Sequence, residues 1–272
     1  MRKIVAIGGG ENGRILEDGT YADYETEIMD REIIRLTGKE KPNFLFLAHS
    51  QSSSLEIQES YYETMKKIYQ EKFGCNCEDL KSNELEDINL VRKKISWADI
   101  IYEGGGDTLE MIKLWRNTGF DSLLYEAWNK GTVMCGVSAG ACCWFKSCNS
   151  DSLNMENGKT EFTSIDCLNW LNAHLTPHCD EKGRYETTKE QLRDNSLVGI
   201  MLSNCSALEI IDNQYRIITS KSQGNNIGNA FAIKAYWNKN EYKEEKIPIS
   251  SKFDSLNKLL NKENIIEYED ER

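Results

Sequence analysis

Residues 132–141 read TVMCGVSAGA, and they are the most informative stretch of the chain. The apolar run at 132–135 predicts a buried strand, and ACCWF at 141–145 predicts the beginning of a helix. Strand, G-x-S-x-G and helix in this order form a nucleophile elbow, which would hold Ser138 in a sharp, strained turn beside free N–H groups. The same pattern also fits a turn of small residues that serves only close packing.

Apolar runs alternate with helical patterns over the first half of the chain. Continuous apolar strands separated by helices predict a mainly parallel central sheet covered on both faces, that is, a three-layer α/β/α fold. Such folds place their sites at the carboxyl ends of the strands, where the glycine-rich segments of this chain fall. The predicted strands cover residues 3–7, 43–49, 78–81, 99–103 and 133–137, and the predicted helices cover 24–37, 55–73, 87–97, 109–114 and 122–129.

The pattern changes after residue 150. A strand at 168–178, a helix at 185–193 and strands at 197–202 and 231–237 are predicted, with a β-hairpin formed by 207–211 and 215–219. From Asn238 the chain is highly charged, with one amphipathic helix predicted at 253–260. We therefore expect an α/β domain over residues 1–237, with a hairpin region near its end, and a charged appendage over 238–272.

Composition and charge exclude several classes of protein. The chain has 272 residues and a net charge of −11, which argues against nucleic acid or an anionic membrane as partner. The apolar run at the amino terminus is too short for a signal peptide, so we expect a cytoplasmic protein. The nine cysteines lack C-x-x-C spacing and predict reduced thiols rather than a metal site, with Cys135 and Cys179 as small buried residues.

A serine nucleophile needs a base, usually histidine, and the chain offers three. His49 lies at a predicted strand end and could reach the same sheet edge, whereas His174 falls inside an apolar stretch and is expected to be packed. His178 follows Pro177 where a strand would pass into a loop, which favours it as the base. A surface-loop histidine is the alternative.

The carboxylate that would orient the base is less determined by the sequence. Asp151 lies between Ser138 and His178 in a polar loop, and Glu156, Asp166 and Asp180 compete with it. Spacing alone does not choose among them, and each could be a solvated loop residue.

Two further glycine-rich segments follow predicted strands. In the first, residues 104–108 (GGGDT), the N–H of Gly106 could pair with that of Ala139 to form an oxyanion hole, although a tight strand-to-helix turn explains it equally well. In the second, residues 8–13 (GGGENG) match the G-x-G-x-x-G of dinucleotide sites. No clear helix follows, and the second strand ends without an acidic residue for a ribose, so we expect no NAD or ATP binding.

Three segments together resemble the aspartyl dipeptidase (peptidase E) and cyanophycinase family of serine peptidases: residues 104–108, residues 136–141, and Pro177-His178 with Arg184 six residues on. The resemblance covers residues 1–237. It implies a flavodoxin/amidotransferase-like fold, related to the class I glutamine amidotransferases, with serine in place of cysteine. The implied site residues are Ser138 as nucleophile, His178 as base, Asp151 as acid, Gly106 and Ala139 as oxyanion donors, and Gly105, Asp107, Thr108 and Arg184 as substrate-binding residues.

The resemblance also implies an activity. Known members cleave after aspartyl residues, in short peptides or in cyanophycin, so we expect a serine-type peptidase acting on small peptides, without metal or cofactor, as a monomer or homodimer. Arg184 is the candidate partner of an aspartyl carboxylate. The alternatives are an amidase, esterase or acyltransferase on the same fold, and a non-catalytic ligand-binding member.

Overall fold

The structure is a computed structural model that describes residues 1–16, 18–154, 161–220 and 230–262. Its strands are β1 (Lys3–Ile7), β2 (Asn43–Leu47), β3 (Asn76–Leu80), β4 (Ile100–Glu103), β5 (Val133–Val137), β6 (Phe145–Ser150), β7 (Thr163–Asp166), β8 (Leu171–Thr176), β9 (Gly199–Leu202), β10 (Ser206–Ile211), β11 (Gln214–Thr219), β12 (Ala232–Asn238), β13 (Glu241–Lys246) and β14 (Asp254–Ser255). Its α-helices are α1 (Glu27–Thr37), α2 (Leu55–Lys66), α3 (Ile88–Trp97), α4 (Thr108–Thr118), α5 (Phe120–Lys130), α6 (Ala139–Cys142), α7 (Arg184–Asn195) and α8 (Leu256–Leu260).

Within the described residues these strands form two sheets. The large sheet has eight strands in the order β14-β11-β10-β1-β5-β4-β2-β3, and its run from β1 to β3 is parallel. Strands β10 and β11 pair antiparallel, and β10 also pairs antiparallel with β1. The small sheet has six strands in the order β13-β12-β9-β8-β6-β7. The fold is thus mixed α/β, with a second sheet that the sequence did not predict.

The parallel strands of the large sheet bury both of their faces. Val5 and Ile7 of β1 belong to one hydrophobic core together with α1 and α2, whereas Ile4 and Ala6 belong to another with α3, α4 and α5. This alternation follows from the two-residue period of a strand, and it explains why the strands read as continuous apolar runs. The second core also holds residues of the small sheet, such as Leu175 of β8.

The segment after the elbow departs from the sequence-based prediction. The helix predicted to begin at 141–145 is a single turn that ends at Cys142, and Phe145 already begins β6 of the small sheet. Leu171, in the neighbouring parallel strand β8, pairs with Phe145, and the aromatic ring is fully buried. Large buried side chains suit a pleated strand, and here the packing between sheets decides against the helix.

Residues beyond Asn238 extend both sheets. Strand β13 pairs antiparallel with β12 at the edge of the small sheet, and β14 pairs antiparallel with β11 at the edge of the large sheet. The amphipathic helix predicted at 253–260 is shorter, since 254–255 form β14 and α8 begins at Leu256. Leu256 and Leu259 of α8 are buried in the hydrophobic core.

Candidate active site

The carboxyl ends of three parallel strands meet at one edge of the large sheet. Ile7 of β1 pairs with Val137 of β5, and Glu103 of β4 pairs with Gly136. Ser138 directly follows β5, and the glycine loop 104–106 directly follows β4. The structure therefore brings the predicted elbow and the predicted glycine loop together at this edge.

Ser138 has the strained backbone that the elbow pattern predicts. Its φ of 55° and ψ of −112° lie where side-chain-bearing residues are rare, and strain of this kind is held only where the surroundings fix it. The Ser138 N–H donates to the carbonyl of Ile7 at 3.1 Å. A Cβ at Gly140 would overlap the carbonyl oxygen of Glu103, so the turn of α6 can approach β4 only with glycine at this position.

The glycine loop lies against Ser138. A Cβ built at Gly105 would stand 3.5 Å from the Cβ of Ser138. Gly104 N–H donates to the carbonyl of Leu47 at 2.9 Å, Gly105 N–H donates to the Tyr61 hydroxyl at 3.2 Å, and Gln51 Nε2 donates to the Gly105 carbonyl at 3.0 Å.

The N–H of Gly106, one of the two proposed oxyanion donors, takes no part in these contacts between described residues. Ala139 is the first residue of α6, and the N–H groups of a first helical turn have no acceptor within their helix. The two donors that the sequence predicts therefore come from adjacent elements, one on each side of Ser138.

Asp107 and Thr108 begin helix α4. The Asp107 carboxylate accepts a hydrogen bond from the Glu110 N–H at 3.0 Å and so caps the helix. Thr108 is buried at the first helical position. The contacts of the Asp107 carboxylate in this structure thus belong to the start of the helix, and its predicted role toward substrate stays a prediction.

The backbones of His178 and Ser138 are both anchored at the end of β1. His178 N–H donates to the carbonyl of Gly8 at 3.0 Å, whereas Ser138 N–H donates to the carbonyl of Ile7. The residues that carry the hydroxyl and the imidazole therefore bind consecutive carbonyls at the end of β1. His178 also has a positive φ of 49°, which marks a second strained position at this edge.

The Nδ1 atom of His178 contacts a residue that the sequence analysis did not single out. Asn204 Oδ1 lies 2.7 Å from Nδ1, and the nearest carboxylate oxygen, Oε1 of Glu181, lies 3.4 Å away. Asp180 accepts hydrogen bonds from the backbone N–H of Asn204 at 2.8 Å and from its Nδ2 at 3.3 Å. Because a carboxylate only accepts, Nδ2 faces Asp180 and the amide oxygen faces the imidazole.

This orientation fixes the tautomer of His178. An amide oxygen can only accept, so Nδ1 carries the proton and donates it to Asn204. The other ring nitrogen, Nε2, then has a lone pair with which to take a proton. Asp180, one of the carboxylates left open by the sequence, therefore acts on the histidine only through Asn204.

The other two histidines are packed residues. His49 is fully buried, its Nδ1 accepts from the Trp115 indole N–H at 2.8 Å, and its Nε2 lies 2.8 Å from the carbonyl of Leu80. Burial lowers the pKa of His49 to about 4. His174 is also fully buried, as predicted, with Nδ1 2.9 Å from the Ser147 hydroxyl and a pKa lowered to about 4 by burial. Both nitrogens of His49 are engaged, which removes it as the base.

Asp151, the predicted acid, contacts Arg184. Arg184 Nη2 lies 3.3 Å from Asp151 Oδ2, and Arg184 Nε lies 3.5 Å from Glu181 Oε2. The structure therefore does not pair Asp151 with His178 directly but connects them through Arg184 and Glu181. Among the other candidates, Asp166 is an exposed residue of β7. Glu156 lies outside the described residues.

Arg184 is a buried cation held by groups of the protein. Its side chain is only 7% exposed, and Nη1 donates to the carbonyl of Asn149 at 3.3 Å. The guanidinium also stands over the ring of Phe162, 4.6 Å from the centroid. A substrate carboxylate would have to compete with these contacts for Arg184.

A cavity borders the loop that joins His178 to α7. Its volume is about 700 Å³, and Phe162, Lys182, Gly183 and Thr187 contribute to its lining. Ligand cavities commonly have volumes of a few hundred to about 1,000 Å³. The volume of this cavity falls within that range.

Gly9, in the glycine-rich segment 8–13, lies against the histidine. A Cβ at Gly9 would overlap Asn204 Oδ1 and His178 Nδ1, so this glycine allows the imidazole and the amide to approach the end of β1. The close approach of His178 and Asn204 thus explains the glycine at position 9 without reference to dinucleotide binding.

Cys135 and Cys179 are buried, as predicted, and all nine cysteines are free thiols. Over the ranges that the structure describes, no group of His, Cys, Asp or Glu side chains is placed to hold a metal ion.

Comparisons with known proteins identify the family of the chain. The model of peptidase family S51 matches residues 15–218, and the chain belongs to that family. The resemblance to the peptidase E family that the sequence showed is thereby confirmed, and membership supports a peptidase function. The uncharacterized peptidase YgaJ of Bacillus subtilis (strain 168) is 28% identical over 225 residues, which are 82% of this chain and 89% of that protein.

Two solved structures share the fold. A peptidase from an acI-B1 Actinobacterium has a TM-score of 0.66 and 14% identity, covering 94% of this chain and 97% of its own. A putative peptidase E protein from Listeria monocytogenes EGD-e has a TM-score of 0.58 and 18% identity, covering 81% of this chain and 100% of its own. Separately, none of the helices in the described segments has the length and apolar character needed to cross a membrane.

Proposed function

We propose that the protein is a serine-type peptidase that hydrolyses small peptides through an acyl-enzyme formed on Ser138. The anchoring of Ser138 and His178 on the consecutive carbonyls of Ile7 and Gly8 is the observation that carries this proposal. The strained φ of 55° at Ser138 supports it, since such strain is characteristic of an elbow that presents its hydroxyl. Membership of peptidase family S51 supports peptide-bond hydrolysis as the reaction.

In the proposed mechanism, His178 Nε2 takes the proton of Ser138 as the hydroxyl oxygen attacks the scissile carbonyl carbon. The carbonyl oxygen becomes an oxyanion and is stabilised by the N–H groups of Gly106 and Ala139. His178 then gives the proton to the leaving amine as the C–N bond breaks. Water, deprotonated by His178, releases the acid product and restores the serine. No cofactor takes part in this proposal.

Asn204 takes the orienting position in the proposed triad. Its amide oxygen holds Nδ1–H of His178 at 2.7 Å, and its own orientation is set by Asp180. Glu181 is the nearest carboxylate to the imidazolium that forms during the reaction. Asp151 is still proposed as the acid, but it would act on His178 indirectly, through its ion pair with Arg184.

The substrate preference for an aspartyl residue is carried over from the family resemblance, with Arg184 as the proposed partner of the carboxylate. Gly105, Asp107 and Thr108 remain proposed substrate contacts on the loop and helix start next to Ser138. We also retain as proposals a cytoplasmic location and a monomer or homodimer.

The test uses Ser138→Ala and, as a matched control, Ser122→Ala on the exposed face of α5. Wild type and S122A are expected to react with a fluorophosphonate, with the label mapped to Ser138, and to cleave Asp-X dipeptides. S138A is expected to do neither. Undiminished cleavage by S138A would contradict the nucleophile, and a wild type that neither labels nor cleaves would favour a non-catalytic ligand-binding protein.

A further inference from the structure

Glu103 is a fully buried carboxylate side chain at the end of β4, directly before the glycine loop. Its Oε1 accepts the backbone N–H of Ser50 at 3.0 Å. Its Oε2 is buried and has no hydrogen-bond partner in the part of the chain that the structure describes. A buried acceptor of this kind is costly if ionised, and the proposed reaction does not use it.

Ser50 connects this carboxyl group to the glycine loop. The Ser50 carbonyl accepts the N–H of Asp107 at 2.8 Å, and its hydroxyl donates to the carbonyl of Gly104 at 3.2 Å. A Cβ at Gly106 would overlap the Ser50 carbonyl oxygen, so the two backbones are in close contact. The position of the Gly106 N–H therefore depends on Ser50, and Ser50 rests on Glu103.

The backbone of Glu103 also touches the other oxyanion element. The carbonyl oxygen of Glu103 occupies the space that a Cβ at Gly140 in helix α6 would need. Ala139, the second proposed donor, immediately precedes Gly140. Glu103 thus lies between the two elements that carry the oxyanion donors.

We propose that Glu103 is a positioning residue that supports the oxyanion loop as a neutral carboxylic acid, so that its ionisation weakens the stabilisation of the oxyanion. The proposal rests on the function proposed for Ser138. Ionisation would place a buried negative charge beside the loop on which a second negative charge develops during the reaction, and like charges in a poorly solvated site repel strongly.

Among Glu103 and the titratable groups around it, Glu103 is the one expected to change charge near neutral pH. Burial raises the pKa of Glu103 to about 8. Among the described residues, the titratable side chains of Tyr61 of α2 and Cys143 after α6 interact with it, and His49 after β2 approaches it with its backbone. Burial raises the pKa of Tyr61 to about 12, raises that of Cys143 well above its usual value and lowers that of His49 to about 4. These three groups therefore stay neutral between pH 6 and pH 9.

The test measures the rate of Ser138 labelling by a fluorophosphonate between pH 6 and pH 9 in wild type, Glu103→Gln and Glu103→Ala. The wild-type rate is expected to fall above about pH 8, whereas E103Q, which keeps the shape of the neutral acid, is expected to lose this alkaline fall. E103A is expected to be slower than E103Q at every pH, because it leaves the Ser50 N–H without its acceptor. Asp30→Asn, which changes a buried acid of α1, is the control and is expected to keep the wild-type profile.

A second measurement does not depend on catalysis. Because the folded-state pKa of Glu103 is raised above its usual value, its contribution to stability is present at low pH and is lost as the pH rises through about 8. The melting temperature of wild type should therefore fall more steeply than that of E103Q from pH 6 to pH 9.

The outcomes separate this inference from the proposed function. Labelling of wild type with an unchanged alkaline fall in E103Q, or parallel melting curves, would overturn the role of Glu103 alone. A wild type that does not label at Ser138 would overturn the proposed function and this inference with it.

Discussion

Asn204 holds His178: the amide oxygen lies 2.7 Å from Nδ1 of the imidazole. Asp180 holds the opposite end of the same amide through the backbone N–H and Nδ2. The neutral amide of Asn204 thus orients the imidazole, and the charged carboxylate of Asp180 fixes the orientation of that amide. This arrangement leaves Nε2 as the basic nitrogen, as the proposed mechanism requires.

Replacing Asn204 should reduce catalysis more than replacing Asp151. A hydrogen bond to a charged group contributes about 1.5–3 kcal/mol, so Asn204→Ala should lower kcat by about 10- to 150-fold. N204D keeps an acceptor toward Nδ1 and should lose less than N204A. The matched comparison is Asp151→Asn, whose carboxylate contacts Arg184, measured on the same Asp-X dipeptide. A larger loss in D151N than in N204A would instead assign the acid role to Asp151.

Gly9 and Gly10 should respond very differently to alanine. A Cβ at Gly9 would overlap His178 and Asn204, whereas a Cβ at Gly10 would meet its nearest neighbours at an ordinary 3.5 Å. Both glycines have positive φ, 157° and 124°, so both variants carry backbone strain and G10A controls for it. We expect G9A to lower kcat/KM by about a hundredfold, because it displaces the base. Equal losses in the two variants would show that strain, not displacement, is responsible.

The edge of the large sheet could be predicted because its signals are local. Apolar runs of strand length end at Ile7, Glu103 and Val137, and glycines follow each of them within the next three residues. The strain at Ser138 follows from the elbow pattern alone. Helix α6 was predicted too long, because the side chains of ACCWF are compatible with either structure and only the pairing of Phe145 with Leu171 in the small sheet decides.

Strand β6 and Asn204 could not be predicted in the same way, nor could the assembly of one sheet from the strands predicted at 168–178, 197–202 and 231–237. Strand β6 buries polar side chains such as Asn149, whose Nδ2 is satisfied by the carbonyl of Arg184 and the hydroxyls of Thr187 and Thr188 on α7. Polar residues satisfied by a distant helix do not read as a strand in the sequence. Asn204 lies two residues after the end of the predicted strand 197–202, and its position near a strand end is the one signal that could have found it.

Arg184→Met should destabilise the protein. The guanidinium is buried against Phe162 and the carbonyl of Asn149, whereas Asp151 and Glu181 are about half exposed and can be rehydrated when it is lost. We expect a loss of about 1–3 kcal/mol in the free energy of unfolding, measured by urea denaturation. Because Arg184 is the proposed partner of the aspartyl carboxylate, the ratio of kcat/KM for Asp-X over Asn-X dipeptides should also fall. An unchanged ratio would contradict that role and leave the guanidinium as a structural group held by the protein.

Asp30 should make the stability of the protein depend on pH below neutrality. The carboxylate is buried on α1 and accepts from the hydroxyls of Tyr69, Tyr24 and Thr26 at 2.7, 2.8 and 3.0 Å, and burial nevertheless raises its pKa to about 6. A raised folded-state pKa means that this contribution to stability is complete below about pH 4 and is lost as the pH rises through 6. The shift corresponds to about 3 kcal/mol across that window.

The measurement for Asp30 is the free energy of unfolding from pH 4 to pH 7. Asp30→Asn removes the titration while keeping an amide that can bond to the three hydroxyls, which are free to rotate. The free energy of unfolding of wild type should therefore fall relative to that of D30N as the pH rises from 4 to 7. Glu86→Gln, which changes an exposed acid, should show no such trend. A wild type and a D30N variant with parallel pH dependences would mean that Asp30 is already ionised at pH 4 in the folded protein, held so by its three hydroxyl donors.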